Sequence, residues 1–228
     1  MTHMRQQLAD YRVFLREFLR TFQTTGAVMP SGSALAAALA HYVRDGDEGS
    51  GGRRILEAGP GTGAVTHHIA RAMRGGDRLV LVERNEVFVD RLRERIAVDE
   101  SLQPLMERIT LRHASLEDVA EDGQFDVIVS GLPLNNFPAK LVEEILDKFS
   151  RLLAPGGTLS FFEYIAMRPA KAVVSRRAER DRLRAIGRLF DELFAEHEIR
   201  RDRVLANFPP AWVHHVRWSL CPLQWETT

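Results

Sequence analysis

Apolar side chains recur at spacings of three and four in the first part of the chain, with arginines between them. This spacing predicts an amphipathic helix over residues 5–23. The segment TTGAVMPSGS interrupts the pattern, and LAAALAHYV predicts a second helix, capped by Ser31 or Ser33. The polar run RDGDEGSGG follows, so we expect an N-terminal helical appendage, residues 1–50, ahead of the main domain, residues 51–228.

In residues 51–228, short apolar runs alternate with helical patterns. The predicted strands are RRILEA, RLVLVE, RITLRHA, FDVIVS and TLSFFEYIA, and the predicted helices are VTHHIARAM, EVFVDRLRERI and PAKLVEEILDKFSRLL. A long arginine-rich helix follows over roughly residues 170–197, and the strands RRDRVLA and AWVHHVRW then form an antiparallel ribbon. This order predicts an α/β fold with a Rossmann-like sheet of seven strands and ligands at the carboxyl ends of the parallel strands.

The stretch ILEAGPGTGAVT, residues 55–66, joins the first predicted strand to a helix through three glycines. Its Gly59, Gly61 and Ala64 satisfy the G-x-G-x-x-G/A pattern of dinucleotide-binding folds. Together with Glu57, the glycines also satisfy E-x-G-x-G-x-G, which is found where S-adenosylmethionine binds. Glycines let the backbone approach either ligand closely, so the turn alone leaves hydride transfer and methyl transfer open.

Two acids and the end of the chain bear on this choice. Glu57 lies at the end of the first strand, where it can accept a hydrogen bond from an ammonium group that a dinucleotide lacks. Glu83 ends the second strand and can hold the ribose hydroxyls of either ligand. Glu57, the LAPGG turn and the C-terminal ribbon together favour S-adenosylmethionine.

Composition and charge limit the compartment and the partners. The 31 basic and 31 acidic residues balance, so net charge gives no general attraction to nucleic acid. Cys221 is the one cysteine, which excludes an intramolecular disulfide and suits a reducing compartment. The N-terminus lacks a signal-peptide core, and no run reaches the roughly 20 apolar residues of a membrane span. We expect a cytoplasmic protein, peripherally associated with the inner face of the membrane.

Seven blocks occur in order over about residues 10–218: TGAVMPSG, LEAGPGTGAVT, LVLVERN, SGLPL, LAPGG, FFEYIA and NFPPAWV. With these blocks the chain resembles the class I S-adenosylmethionine-dependent methyltransferases and, more narrowly, the bacterial phospholipid N-methyltransferases. That family methylates phosphatidylethanolamine successively towards phosphatidylcholine. The resemblance implies the same activity, the same cofactor and a class I methyltransferase sheet. The helix over 170–197 is longer and more basic than the family outline, which leaves the exact lipid open.

The resemblance also implies site residues. The glycines would line the cofactor and Glu83 would bind its ribose, while the residues after the third strand would flank its adenine. The expected cofactor set is Met29, Ser31, Glu57, Gly59, Gly61, Thr62, Gly63, Glu83, Arg84, Ala114, Ser115 and Ser130. The expected set for the amine substrate is Tyr11, Leu132, Pro133, Asn135 and Tyr164.

The segment SGLPLNNF follows the fourth strand, where methyltransferases that act on planar nitrogens carry an N-P-P-Y-type motif. Ser130 stands in place of the first amide, and Leu134 in place of the aromatic ring that would stack on a base. Asn135 can meet a polar headgroup or simply satisfy the turn. The ring of Tyr164 can hold a methylated cation, with Tyr11 as part of a lid, although each can equally be a core residue.

Two helices are candidates for membrane contact. The N-terminal amphipathic helix has the composition of an in-plane membrane helix, and RRAERDRLR within the helix 170–197 is a candidate patch for anionic lipid. The alternatives are helices that pack on the domain and carry surface ion pairs. RNA phosphates would use the same charges, which keeps an RNA adenine N-methyltransferase as an alternative, beside N-methylation of another aminolipid or a small amine.

Other features weigh against nucleic-acid and metal partners. RRAERDRLR has no interleaved aromatic residue on which bases could stack, so we expect a lipid and no nucleic acid. The adjacent pairs His67–His68 and His214–His215 point in different directions on a helix or strand, so we expect no metal site.

Overall fold

The computed structural model describes residues 30–45, 51–165, 177–207 and 209–218, so the predicted helix over residues 5–23 lies outside the described residues. The helices are α1 (Pro30–Leu39), α2 (His41–Asp45), α3 (Ala64–Ala72), α4 (Glu86–Val98), α5 (Ala139–Leu152) and α6 (Arg177–His197). The strands are β1 (Arg54–Ala58), β2 (Arg78–Glu83), β3 (Ile109–His113), β4 (Phe125–Ser130), β5 (Leu153–Tyr164), β6 (Glu198–Val204) and β7 (Ala211–Val216). These elements alternate in the predicted order.

The strands form one seven-stranded sheet in the order β3-β2-β1-β4-β5-β7-β6. Strands β1 to β5 are parallel, and β7 is antiparallel to both β5 and β6. The predicted α/β class, the seven strands and the C-terminal antiparallel ribbon are therefore confirmed. The strand order reverses between β1 and β4, and open α/β sheets bind their ligands beside such a reversal.

Two predicted boundaries are wrong. Helix α1 includes Ser31 and Ser33, so neither serine caps its N-terminus. Strand β5 begins at Leu153, ahead of the predicted TLSFFEYIA, because Leu153 pairs with Phe125 before a shift in register. The intervening Gly156 has a left-handed φ of 78°, which allows the backbone to bend without leaving the sheet.

Helices cover both faces of the sheet. On one face, α5 and α6 pack against a core that includes Leu56 and Phe161, both fully buried. On the other face, α1, α3 and α4 pack against a core that includes Ile55 and Leu81, also fully buried. Burial on both faces explains why the parallel strands read as nearly continuous apolar runs.

The arginine-rich helix α6 packs on the domain with its apolar side inward. Leu183, Ile186 and Phe190 are at most 5% exposed, and the ring of Phe190 lies 5.5 Å from that of Phe161. Arg184 forms an ion pair with Asp181 on the exposed side. Over residues 177–197 the helix therefore matches the prediction of a packed helix with surface ion pairs. In the part of the chain that the structure describes, no helix is both long and apolar enough to cross a membrane.

A buried ion pair fastens the appendage to the sheet. Arg53 Nη2 lies 2.6 Å from Asp77 Oδ2, and the two side chains are only 9% and 3% exposed. The same nitrogen donates to the carbonyl oxygen of Val43 in α2 at 2.7 Å. Arg53 therefore links α2 to the turn that precedes β2.

Candidate functional site

The three glycines of the turn after β1 all have left-handed backbone conformations. The φ angles of Gly59, Gly61 and Gly63 are 70°, 56° and 83°. Other residues rarely adopt such angles, which is why the turn requires glycine. A Cβ atom on Gly61 would meet no atom of the described residues within 4 Å. The turn therefore presents bare backbone at the carboxyl end of β1.

Glu83 lies beside this turn, at the carboxyl end of β2. Its Oε2 accepts a hydrogen bond from the Gly61 N–H at 3.1 Å, and its Oε1 accepts one from the Asn85 N–H at 2.8 Å. The residue is 6% exposed, and burial raises the pKa of its carboxyl, while the backbone N–H groups act in the opposite direction. The structure thus brings the second-strand acid and the glycine turn together.

Glu57 is fully buried, on the side of the sheet that α3 covers. Neither of its carboxyl oxygens has a hydrogen-bond partner among the described residues. Burial raises the pKa of this carboxyl to about 8, the hydroxyl of Thr66 in α3 lowers it in part, and the charge of Glu83 raises it further. The Thr66 hydroxyl lies near the carboxyl without meeting the geometry of a hydrogen bond. Glu57 is therefore a buried acid held largely in its neutral form at neutral pH.

The remaining residues of the expected cofactor set occupy varied positions. Thr62 and Arg84 are exposed, and their carbonyl oxygens accept hydrogen bonds from the side chains of Arg95 and His113. The Ala114 N–H donates to the Glu83 carbonyl at 3.1 Å, which places the residues after β3 next to β2. Ser115 and Ser130 are half-buried and fully buried. Met29, Tyr11 and the side chain of Ser31 lie outside the described residues.

The loop of residues 131–137, here called the substrate loop, follows β4 and touches the glycine turn. The Gly131 N–H donates to the Ala58 carbonyl at 2.9 Å, and a Cβ on Gly131 would lie 2.5 Å from the Gly59 oxygen. A Cβ on Gly59 would in turn lie 2.6 Å from Leu132 Cδ2. Both contacts require a residue without a side chain. The structure therefore brings Leu132, a residue of the expected substrate set, against the glycine turn, and Pro133 follows it in the loop.

Within the substrate loop, residues Leu134–Asn136 form a single 3-10 turn. Leu134 is fully buried in the core, and Asn135 is 5% exposed. Among the described residues, neither the Nδ2 nor the Oδ1 atom of Asn135 has a hydrogen-bond partner. Buried amides without partners are rare in folded proteins, so this side chain is a candidate for binding a ligand.

A side chain from α6 holds this turn from outside. Arg182 Nη1 donates to the carbonyl oxygen of Asn135 at 3.0 Å and to that of Phe137 at 2.5 Å. The sequence placed Arg182 in the candidate lipid patch RRAERDRLR. In the structure this residue is half-buried, and its guanidinium is directed at the substrate loop.

Tyr164 ends β5 as predicted, but it is only 5% exposed. Its ring meets that of Phe162 edge to face at 5.1 Å between centroids, within the core that α1, α3 and α4 cover. Burial raises the pKa of its hydroxyl to about 12. Of the two roles left open for Tyr164, the described contacts are those of a core residue.

The histidine pair of β7 turns to opposite faces, as expected for neighbours on a strand. His214 Nδ1 lies 2.6 Å from Glu198 Oε1, and its ring stacks on that of Phe194. His215 lies between Ser160 and Asp202, at 2.7 and 3.2 Å. Across residues 30–45, 51–165, 177–207 and 209–218, no group of three or more histidine, cysteine or acidic side chains is arranged to hold a metal ion.

Comparisons with known proteins agree with this geometry. Residues 55–157 match a family described as a methyltransferase domain. Ornithine lipid N-methyltransferase of Singulisphaera acidiphila is 28% identical over 217 residues, which cover 92% of this chain and 97% of the relative. The solved structure of 1,6-didemethyltoxoflavin-N1-methyltransferase from Burkholderia thailandensis, with S-adenosylhomocysteine bound, matches with a TM-score of 0.59 at 16% identity, over 92% and 90% of the two chains. A putative O-methyltransferase from Klebsiella pneumoniae matches with a TM-score of 0.59 at 19% identity, over 85% and 82%.

The family match spans β1 to the start of β5, and so includes the glycine turn, Glu83 and the substrate loop. Residues 55–157 are similar to a methyltransferase domain, and the seven-stranded sheet has the fold of class I S-adenosylmethionine-dependent methyltransferases. The predicted fold, the predicted methyltransferase activity and S-adenosylmethionine as cofactor are confirmed. The resemblance to bacterial lipid N-methyltransferases is confirmed by the relative of nearly equal length.

Two properties of the methyltransferase site were not evident from the sequence. Arg182 lies 47 residues beyond Asn135, and no local pattern connects them. The neutral state of Glu57 follows from complete burial beside Glu83, whereas the motif alone predicted a carboxylate that meets an ammonium group. The apolar sequences of β2 and β4, which flank β1, were a signal that Glu57 would be buried.

Proposed function

We propose that this methyltransferase transfers methyl groups to the amine nitrogen of a membrane aminolipid. The observation that carries the proposal is the ornithine lipid N-methyltransferase that matches nearly the whole chain. Phosphatidylethanolamine is the substrate that the sequence blocks favour, and an ornithine lipid is the second candidate, favoured by this relative. Both present a primary amine to the enzyme beside a lipid surface.

For the cofactor, the backbone of the glycine turn lies along the methionine part, and Glu83 binds the ribose hydroxyls. The residues present fit this ligand, because no described atom fills the space above the Gly61 backbone, and Glu83 accepts a hydrogen bond from the Gly61 N–H. The other residues that we propose for cofactor binding are those expected from the sequence, including Glu57, Ala114 and Ser115. Bound there, the cofactor supplies an electrophilic methyl group on its sulfonium.

For the substrate, the amine binds beside the glycine turn and the substrate loop. The Oδ1 of Asn135, which has no partner among the described residues, accepts a hydrogen bond from the amine, and the backbone of Leu132 and Pro133 shapes the rest of the site. An aliphatic amine has a pKa near that of lysine, about 10, and burial shifts it towards the neutral form that can attack the methyl group. Orientation of the two groups supplies most of the catalysis. Tyr164 supports the site from the core, where its ring packs against that of Phe162.

Within residues 1–50, the part that precedes α1 serves as a lid and membrane-contact segment in this proposal, together with the outer face of α6, while α1 and α2 pack in the core. The exposed Arg184 and its neighbours on that face are suited to anionic headgroups. An RNA base is a less suitable substrate, because Leu134 is fully buried where an aromatic ring would have to stack on the base. Lipid is therefore preferred to RNA.

The test measures methyl transfer from labelled S-adenosylmethionine to vesicles that contain phosphatidylethanolamine or ornithine lipid, with and without anionic lipid. Methylated lipid, formed faster on anionic vesicles, is the expected product. Glu83→Ala should abolish cofactor binding in calorimetry, whereas Glu86→Ala, which removes an exposed glutamate of α4, should retain it. An absence of lipid product with the cofactor still bound would contradict the aminolipid assignment and leave the methyltransferase domain intact.

A further inference from the structure

The substrate loop is short and has little regular structure of its own. Its 3-10 turn of three residues is held internally by the Asn136 N–H to Pro133 and the Phe137 N–H to Leu134 hydrogen bonds, at 2.9 and 3.1 Å. Isolated turns of this length have weak hydrogen-bond geometry, and their last carbonyl groups need donors from outside. The position of Asn135 therefore depends on contacts beyond the loop.

Arg182 supplies such contacts. Its Nη1 donates to the carbonyl groups of Asn135 and Phe137, which lie on either side of the point where the turn ends. Hydrogen bonds from a charged donor are stronger than neutral ones, and a positive charge is favourable at the carboxyl end of a helical turn. Arg182 is also well anchored, since the next residue, Leu183, is 5% exposed in the core beneath α6.

The Asn135 side chain is the group through which these contacts can affect ligand binding. Its amide is buried and has no partner among the described residues, which is a cost unless a ligand completes its hydrogen bonds. Arg182 donates a hydrogen bond to the backbone carbonyl of the same residue. A shift of about 1 Å at a reacting group can lower a rate by about 10²-fold. The hydrogen bond from Arg182 therefore controls the position of the Asn135 amide relative to the amine.

We infer that Arg182 is a positioning residue for methyl transfer, which acts on the amine substrate through Asn135. This inference rests on the proposed function, because it takes Asn135 as the residue that binds the amine. It also divides α6 between two tasks. Arg182 faces inward and fixes the substrate loop, while exposed arginines of the same helix, such as Arg184, remain available to lipid.

The kinetic test compares Arg182→Ala, Arg182→Lys and the control Arg93→Ala on the amine substrate. Arg93 is an exposed arginine of α4 that pairs with Asp90, outside the site. Arg182→Ala should lower kcat by about 10- to 100-fold, while the Kd for S-adenosylmethionine changes less than about twofold. Retained cofactor binding shows that the variant is folded. Arg182→Lys keeps the charge and should recover part of kcat, and Arg93→Ala should match the wild type.

A double-mutant cycle with Asn135→Ala tests whether the two residues act together. If Arg182 acts through Asn135, its substitution should have less than about threefold further effect in the Asn135→Ala background. Equal losses of kcat in both backgrounds would overturn the inference, since Arg182 would then act elsewhere.

Hydrogen exchange separates a failure of this inference from a failure of the proposed function. The peptide over residues 131–137 can be followed in the free enzyme without a methyl acceptor. We expect faster exchange in Arg182→Ala than in the wild type, and no change in Arg93→Ala. Unchanged exchange would overturn the inference whatever the substrate. Faster exchange with no turnover of any aminolipid would refute the function and the coupling to the amine, and would leave only a structural contact.

Discussion

The buried carboxyl of Glu57 makes a quantitative prediction about stability. Its pKa is about 8 in the folded protein, against 4.5 for an unperturbed glutamate, because it is fully buried. The folded state therefore keeps a proton that the unfolded chain releases. The contribution to stability is fully present below pH 4.5, declines as the pH rises towards 8, and is lost above that value. Each pKa unit corresponds to about 1.4 kcal/mol, so the full effect is at most about 5 kcal/mol.

The perturbation is Glu57→Gln, which removes the titrating group and retains its approximate shape. Urea unfolding without cofactor gives the free energy of unfolding of both proteins at several pH values. The advantage of the variant over the wild type should grow by about 2 kcal/mol between pH 6 and 8, and by less than about 0.5 kcal/mol between pH 8 and 9. Glu86→Gln, at an exposed position of α4, controls for the substitution itself.

Histidines do not obscure this comparison. Burial lowers the pKa of His215 to about 4, so its contribution makes the protein more stable as the pH rises from 4 to 6.5, opposite in sign to that of Glu57. That contribution is the same in the wild type and in Glu57→Gln, and it cancels in the difference. A difference that does not vary with pH between 6 and 8 would refute the assignment of a neutral, buried Glu57.

Two further substitutions test the packing around the site and beneath it. Gly131→Ala should lower the free energy of unfolding by about 1–3 kcal/mol and weaken cofactor binding, because its Cβ would lie 2.5 Å from the carbonyl oxygen of Gly59. Gly75→Ala is the control, since its Cβ would meet no described atom within 4 Å, and it should change neither property. Urea unfolding measures the stability, and calorimetry measures the binding. Arg53→Met should cost about 3–5 kcal/mol in urea unfolding, since it leaves the charge of Asp77 buried without its ion pair, whereas Arg93→Ala at the surface should cost less than about 1 kcal/mol. Equal behaviour of the two glycine variants would contradict the close contact at Gly131. A loss for Arg53→Met no larger than that for Arg93→Ala would contradict the role of the buried ion pair.

The fold could be predicted because its signals are local. The apolar runs of β1, β2 and β4 are nearly continuous because both faces of these strands are buried. The glycine turn is visible in the sequence because three of its positions need a left-handed backbone, which favours glycine. The predicted start of β5 was wrong because Leu153 joins the sheet through pairing with Phe125, a partner that is distant in sequence.

The candidate site was predictable only in part, for the same reason. The positions of Glu83 beside the turn and of the substrate loop at the end of β4 follow from parallel strands whose carboxyl ends share one edge. The core contacts of Tyr164 could not be predicted, because a tyrosine at the end of a strand gives the same sequence pattern whether its ring faces a ligand or a packed helix.

The sequence by itself determined the α/β class, the order of the elements, the methyl-donor motif and the loop that follows β4. These properties depend on residues that are near one another in the chain, so their spacing is enough to reveal them. Only the tertiary structure decided that Glu57 is neutral, that the buried Asn135 amide has no partner among the described residues, and that Arg182 holds the loop. Each of these depends on burial or on a contact between distant segments, which exists only when the sheet and its helices are packed together.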